Sequence, residues 1–167
     1  MRRATLIFFL IFSSVFVFAQ KNWVKQKLTS RVTVAFPTTP LKTAGTTFAL
    51  KDSTGLVYTA TYSFIAQNLK IDQKAFDKLA TTDEFASEFQ NSLQATLAGY
   101  DLEPIQIKQN KNYVSYLTKG KNEDEKKSIF LHIIFVDGIY YSLSVVIPDG
   151  KNISNKDVFL SNFQITK

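Results

Sequence analysis

The strongest constraint on this fold is a pair of apolar segments joined by Asp137-Gly138. Residues 128–136 and 139–147 are both rich in β-branched and aromatic side chains, and Asp-Gly is a preferred two-residue loop of type I′ hairpins. Both faces of residues 129–136 are apolar apart from His132, whereas the partner strand carries Ser142 and Ser144 on its more polar face. The pattern therefore predicts an antiparallel hairpin whose first strand is central in a sheet and covered on both sides.

Other segments alternate between strand and helix signals, which favours an α+β fold. Strands are predicted at residues 31–36, 46–50, 56–65, 100–108 and 112–118, and residues 120–127 are predicted to form an exposed loop. Asp72 is expected to cap a short helix, and Thr81 with Glu84 to form a capping box for a longer one that ends at Gly99. In that longer helix Phe85, Phe89, Leu93 and Leu97 form an apolar stripe, and Ser154 or Asn155 is expected to cap a last short helix.

The N-terminal residues have the layout of a secretory signal peptide. Arg2 and Arg3 precede an apolar stretch from Leu6 to Phe18, and Ala19 ends it next to Gln20. The stretch is shorter than the roughly 20 apolar residues that span a bilayer. We therefore expect cleavage near Ala19 and a single exported α+β domain at residues 20–167 that is soluble, periplasmic or secreted, and has no transmembrane segment.

Composition excludes several functional classes. The chain has no cysteine, so disulfides, thiolate catalysis and a lipoprotein anchor are ruled out. Loss of Arg2 and Arg3 lowers the net charge from +6 to +4, and Arg31 is then the only arginine. Because recognition of phosphates and bases relies heavily on bidentate arginine contacts, nucleic acid is not an expected partner.

The order of these elements resembles the PsbP-like and DcrB-like group of exported α/β sandwiches. The resemblance is carried by residues 32–37 with Pro40 soon after, the strand at 58–64, the midchain helix, the hairpin at 130–147 with Tyr140-Tyr141, and the closing segment 157–163. It implies a mostly antiparallel sheet between helices, a PsbP-like α/β/α sandwich. It also implies a non-catalytic accessory or binding protein of membranes and envelope complexes, with no catalytic set to transfer.

No catalytic, metal-binding or cofactor-binding signature is evident. His132 is the only histidine, and its place in an apolar strand favours a hydrogen-bonded structural role over that of a general base. A serine hydrolase using His132 with Ser142 or Ser144 is disfavoured because no G-x-S-x-G motif occurs. The acidic residues at 83–88 suit a helix N-terminus, and those at 123–125 are flanked by Lys119, Lys121, Lys126 and Lys127, so neither group predicts a metal site. We expect no enzyme activity, no metal and no cofactor.

Tyrosines in the predicted strands are the remaining candidates for a binding site. Tyrosine supplies contact area with a polar tip, so such residues either pack the core or line a cleft. The candidates are Tyr58, Tyr62, Tyr113, Tyr116, Tyr140 and Tyr141. Two functions are therefore expected as alternatives: an exported accessory protein that binds an envelope protein, or a carrier of a small apolar ligand in a tyrosine-lined cleft.

Overall fold

The computed structural model describes residues 23–166, so the predicted signal peptide lies outside the described residues. The strands are β1 (Val24–Lys27), β2 (Val32–Phe36), β3 (Leu41–Ala44), β4 (Thr47–Lys51), β5 (Val57–Ser63), β6 (Asp101–Leu102), β7 (Gln106–Asn110), β8 (Tyr113–Asn122), β9 (Lys127–Val136), β10 (Ile139–Pro148) and β11 (Phe163–Ile165). The helices are α1 (Ile65–Leu69), α2 (Gln73–Leu79), α3 (Asp83–Thr96) and α4 (Ser154–Ser161). The chain is thus an α+β protein with a mostly antiparallel sheet, as the sequence predicts.

The predicted hairpin forms the centre of an eight-stranded antiparallel sheet. The strand order is β3-β4-β5-β10-β9-β8-β6, and β7 also pairs with β8. Val136 pairs with Ile139 at the hairpin tip, and Lys127 pairs with Pro148 at the other end of the sheet. Asp137 and Gly138 have φ angles of 53° and 71°, as a type I′ turn requires, so the turn prediction is confirmed.

Glycine is required at position 138 because the residue has a positive φ and because there is no room for a Cβ. A pair of substitutions separates these two causes. In a Gly138→Ala variant the residue keeps a positive φ, and the new Cβ lies 2.7 Å from Ala66 Cβ and 3.0 Å from Gln73 Cγ. We expect unfolding free energy to fall by about 1–2 kcal/mol from the backbone and by about 1–3 kcal/mol more from overpacking. Gly150 also has a positive φ but open space around it, so Gly150→Ala should show only the backbone part. Equal losses in urea denaturation would contradict the close packing of α1 on the tip.

The large sheet separates two cores. On one face β8, β9 and β10 pack against α1, α2 and α3, with Phe76, Tyr116, Ile133 and Phe135 buried. On the other face the sheet packs against α4 and a small antiparallel sheet ordered β1-β2-β11. Phe36 and Phe159 are buried there. Strand β9 is therefore central and covered on both sides, as predicted.

Helix boundaries confirm one predicted cap and correct three. Asp72 caps α2 by accepting hydrogen bonds from Lys74 N and Ala75 N. The Thr81 capping box is wrong: Thr82 is the N-cap of α3 and accepts from Phe85 N at 3.3 Å, while Thr81 Oγ1 donates to Lys78 O. The predicted apolar stripe of α3 does pack on the sheet.

The other two corrections concern Gly99 and the start of α4. Helix α3 ends at Thr96 with Leu97 as its cap, and Gly99 does not have a positive φ. Instead, a Cβ at Gly99 would lie 2.9 Å from Asn122 Nδ2, so glycine permits a close approach there. The prediction of a Ser154 or Asn155 cap is wrong as well, because α4 begins at Ser154 after Ile153, and Asn152 Oδ1 accepts the Ser154 N–H at 2.8 Å.

Half of the predicted loop at 120–127 is strand. Strand β8 runs to Asn122 and β9 begins at Lys127, so only residues 123–126 form a turn. Gly120 is buried because β6 pairs with β8 there, with Leu102 opposite Gly120. A Cβ at Gly120 would lie 2.5 Å from Leu102 Cδ2. Strand β5 is also shorter than the predicted strand at 56–65, since it ends at Ser63 and α1 follows.

Candidate functional site

The six candidate tyrosines are divided between the two faces of the large sheet. Tyr58, Tyr62, Tyr113 and Tyr141 belong to the core beneath α4 and the small sheet. Tyr116 and Tyr140 belong to the core beneath α1–α3. The structure therefore does not bring the six side chains together in one cleft.

Three of these tyrosines are fully buried and their hydroxyls have protein partners. Tyr58 donates to Asp52 Oδ2 at 3.1 Å and Tyr116 donates to Ala80 O at 2.7 Å. The hydroxyl of Tyr141 lies 2.8 Å from Thr29 Oγ1. Burial raises the pKa of both Tyr58 and Tyr116 to about 12, so both hydroxyls stay protonated near neutral pH. These rings fill the cores and tie distant segments to the sheet.

The other three tyrosines are partly exposed but lie apart. Tyr113 packs edge-on against Phe163 with ring centroids 5.5 Å apart, and Tyr140 lies 5.8 Å from Phe89 on the opposite face. The ring of Tyr62 packs edge-on against that of Phe64, with the ring centroids 5.9 Å apart. Of the six, Tyr62 is the one that adjoins a strongly exposed aromatic side chain, because Phe64 is 46% exposed.

His132 has the hydrogen-bonded environment that the sequence favours. Its Nδ1 lies 2.7 Å from Leu160 O, and because a carbonyl can only accept, the proton must be on Nδ1. Burial lowers the pKa of His132, Lys108 lowers it further, and the Leu160 bond opposes both. Ser142 and Ser144 flank Leu143, the partner of His132, so they point to the opposite face of the sheet. The arrangement places no serine hydroxyl of β10 beside the imidazole.

The lowered pKa of His132 predicts a loss of stability in mild acid. The unfolded chain takes up this proton near the ordinary value of 6.5, and the folded protein only at lower pH. The unfolded state therefore binds more protons in that interval, so stability is full above pH 6.5 and falls as pH decreases towards the folded pKa. In His132→Asn, where the amide can still donate to Leu160, we expect a flatter pH dependence of the free energy of unfolding. Parallel profiles for the two proteins would contradict this role.

Two surface depressions lie away from the hairpin tip. One of about 220 Å³ lies beside α4, with Leu117, Phe130 and Leu160 among its lining residues. Its charged rim is already paired: Lys119 with Glu103 at 3.0 Å, and Lys156 with Asp157 at 3.1 Å. A second of about 490 Å³ lies between α3 and residues 104–107. Neither of these two depressions is lined by any of the six candidate tyrosines.

A third depression, here called the tip depression, lies beside the hairpin turn. It has a volume of about 510 Å³ and is lined by Phe64, Ala66, Gln67, Ile71, Asp72, Gln73, Asp137, Gly138 and Ile139. Ala66 and Gly138 are buried, whereas Phe64 and Ile71 are 46% and 36% exposed. Four of the seven strongly exposed large apolar side chains of the described residues lie within residues 64–79: Phe64, Leu69, Ile71 and Leu79. Exposed apolar side chains are thus concentrated in the segment 64–79, whose first part lines the tip depression.

Backbone hydrogen bonds hold this depression in shape. Ala66 N donates to Gly138 O at 3.0 Å, and Ile71 N donates to Ala66 O at 3.0 Å. Lys70 between them has the left-handed conformation that ends α1. The exposed apolar side chains therefore stand on a segment fixed to the hairpin turn.

Carboxylates border the tip depression. Asp72 and Asp137 line it, and Asp77 accepts a hydrogen bond from Gly138 N at 3.3 Å. Burial raises the pKa of Asp77, Asp137 and Asp72 raise it further, and the Gly138 bond opposes this. Arg31 Nε lies 2.6 Å from Asp137 Oδ2. The ion pairs found within residues 23–166 include neither Asp72 nor Asp77.

Sequence patterns missed this site because Phe64 continues the alternation of the preceding strand. Counting from Tyr58, Phe64 falls on the core-facing side, yet β5 ends at Ser63 and the chain turns into α1. The useful signal is in the segment 65–71. Its apolar residues keep neither the two-residue spacing of a strand nor the 3.6-residue spacing of a helix over any length. Short elements of this kind depend on tertiary contacts.

Neither protein-family models nor curated proteins give a match to this chain. Within residues 23–166, no helix combines the length and apolar character needed to cross a membrane. In the same part of the chain, no three histidine or carboxylate side chains are grouped so that they could hold a metal ion. The structural class of the chain is given by its fold alone: α+β with a mostly antiparallel sheet.

Proposed function

We propose that this is an exported, non-catalytic accessory protein that binds another component of the cell envelope. The observation that carries the proposal is the tip depression, where Phe64 and Ile71 are exposed beside the rigid hairpin turn. Exposed apolar clusters on a well-packed protein are typical of interaction surfaces. The same end of the sheet also carries the exposed Leu69.

The alternative, a carrier of a small apolar ligand, is less well supported. The buried tyrosines that prompted it have hydroxyls satisfied by Asp52, Ala80 and Thr29. Ligand pockets usually enclose about 300–1,000 Å³ of largely apolar space. The depression beside α4 is smaller, at about 220 Å³, and the other two, at about 490 and 510 Å³, are in this range, but none of the three is lined by any of the six candidate tyrosines. A protein partner therefore fits the surface better.

Export and the PsbP-like sandwich are parts of the same proposal. The arginine pair, apolar stretch and Ala19 favour removal of residues 1–19. The resemblance is supported by the positions of α1–α3 on one face of the sheet and α4 on the other. The small sheet β1-β2-β11 is an added layer beside α4.

Capture from the envelope of the producing cell tests this function. The tagged protein should recover a reproducible envelope component, and the Phe64→Ser/Ile71→Ser variant should recover at least about tenfold less, as expected when central apolar contacts are lost. Ile153→Ser is the matched control, because Ile153 is 50% exposed and follows β10 at the opposite end of the sheet from the tip. The intact mass of the exported protein should correspond to a chain that begins at Gln20. Equal recovery by all three proteins, or an uncleaved mass, would contradict the corresponding part of the proposal.

A further inference from the structure

We infer that strand β7 binds an extended segment of a different protein, which adds to the large sheet as a further antiparallel strand beside α3. This surface is separate from the one in the proposed function, because the depression beside β7 and the tip depression share no lining residue. Its basis is the unpaired backbone edge of β7, the groove beside that edge and the one charge that the strand carries.

The outer edge of β7 has backbone groups without partners. Asn110 and Tyr113 flank a two-residue loop and exchange both hydrogen bonds, so pairing with β8 uses Asn110 and every second residue before it. The N–H and C=O groups of Ile107 and Gln109 therefore point away from β8. Within residues 23–166, β7 pairs with β8 alone, and no other backbone hydrogen bond reaches residues 104–110. Alternating donors and acceptors of this kind are complementary to another extended strand.

A groove lies beside this edge, between β7 and α3. It has a volume of about 490 Å³ and is lined by Pro104, Ile105 and Ile107 on the strand side and by Asp83, Ala86, Ser87 and Gln90 on the helix side. Ala86 is buried and Ile107 is partly buried, so an added strand would meet apolar surface there. The side-chain oxygen of Gln90 is buried without a hydrogen-bond partner among residues 23–166. Because buried polar atoms are normally hydrogen-bonded, a donor from the bound segment would satisfy it.

The other edge of the large sheet is less suited to strand addition. Strand β3 has a register shift between Lys42 and Ala44, whereas the pairing of β7 with β8 is regular throughout. Such irregularities are a common means of protecting an edge from further pairing. Strand β3 also contributes no residue to the three depressions described above. The β7 edge is therefore the one that is open to a partner strand.

Lys108 is an uncompensated charge on the α4 side of this edge. It is exposed, it is the one charged residue of β7, and the ion pairs found within residues 23–166 do not include it. Lys111 in the following turn adds positive charge, and Glu103 before the strand is already paired with Lys119. Asp83 lies on the other side of the sheet, in the first turn of α3. A carboxylate opposite Lys108 would therefore meet a cation that is free to pair.

The same charge argues against a second copy of this chain as the occupant. A two-fold antiparallel contact that uses the backbone groups of both Ile107 and Gln109 places Lys108 opposite Lys108 of the second copy. Like charges directly opposite each other in a sheet are destabilising. A segment of a different protein, with apolar side chains towards α3 and a carboxylate opposite Lys108, fits both sides of the edge.

Synthetic peptides provide the test with the protein purified after export. The first peptide alternates valine with glutamate. In antiparallel pairing its valines lie opposite Ile107 and Gln109 and make the ladder hydrogen bonds, because residues directly opposite share a face. N-methylation of the valines should therefore weaken binding at least about tenfold, whereas N-methylation of the glutamates should leave it nearly unchanged. The amide resonances of Ile107 and Gln109 should shift on binding.

Two variants assign the effect to the edge. Gln109→Pro removes an outward N–H without touching the bonds to β8, and it should weaken binding at least about fivefold, while Gln109→Thr keeps the N–H and should bind normally. The wild-type protein should prefer the valine-glutamate peptide to a valine-lysine peptide at least about threefold. Lys108→Gln should remove this preference, and the matched Lys42→Gln in β3 should keep it.

Several outcomes would overturn the inference. Equal binding of the two N-methylated peptides would show that the backbone of the edge is not recognised, and resonance shifts confined to β3 or the tip depression would move the site. No shift with any peptide would overturn it as well. A dimer of the purified protein that is lost in Gln109→Pro would make a second copy the occupant. Envelope capture that does not depend on Phe64 and Ile71 would count against the proposed function alone.

Discussion

Replacing Phe135 by alanine is expected to lower the free energy of unfolding by about 3–5 kcal/mol. Phe135 is 1% exposed and lies one residue before the end of β9, close to the hairpin turn. Its ring packs edge-on or tilted against the aromatic rings of Phe76, Phe85, Phe89, Tyr116 and Tyr140. Truncation removes contacts to α2, α3, β8 and β10 at once, and the sheet limits how far the cavity can collapse.

Urea denaturation of purified protein measures this loss. Phe64→Ala is the matched control, since it deletes the same atoms at a position that is 46% exposed, and we expect it to change stability by no more than about 0.5 kcal/mol. If Phe135→Ala loses no more than the control, α2 and α3 do not pack on β9 as described. Loss of the folded state in Phe135→Ala would agree with the account, and Phe135→Leu should then fold with an intermediate loss.

Replacing Phe159 by alanine is expected to cost about 3–5 kcal/mol by detaching α4 from the sheet. Phe159 is fully buried and lies 5.0 Å from Phe36 and 5.2 Å from Tyr58, centroid to centroid. It therefore joins three elements distant in the sequence: α4, β2 of the small sheet and β5 of the large sheet. The neighbouring Val158 is 42% exposed, so Val158→Ala is the control on the same helix.

Hydrogen exchange gives this second prediction a local readout. In Phe159→Ala the amides of α4 and β11 should exchange faster than those of β8–β10, because their protection depends on the Phe159 contacts. A uniform loss of protection throughout the described part of the chain would contradict the view that α4 and β11 form a separately docked layer. Unchanged protection in Val158→Ala is expected.

The central hairpin was predictable because its signals are local and agree with each other. Residues 129–136 are apolar on both faces, and Asp137-Gly138 specifies the turn, so pattern and turn chemistry lead to one register. The α3 stripe of Phe85 and Phe89 was predictable for the same reason. These elements are long enough for periodicity to be distinct.

The elements that sequence reasoning missed are short or depend on distant partners. Strand β1 forms by pairing with β2, β3 forms by pairing with β4, and β6 spans only two residues. Helix α1 begins where the strand pattern of β5 continues, so Phe64 was placed in the strand pattern rather than at the surface. Alternation indicates which side chains share a face, but it does not indicate which face another layer covers. That is also why the six tyrosines could not be sorted between two cores.

The central claim is that a protein partner binds at the tip depression, and site-specific photocrosslinking in the producing cell tests it most directly. A photoreactive residue at Gln67, an exposed position that lines the depression, should give one discrete crosslinked protein. The same residue at Lys151, exposed after β10 at the opposite end of the sheet, should give none. No discrete product from Gln67, or the same product from both positions, would contradict the claim.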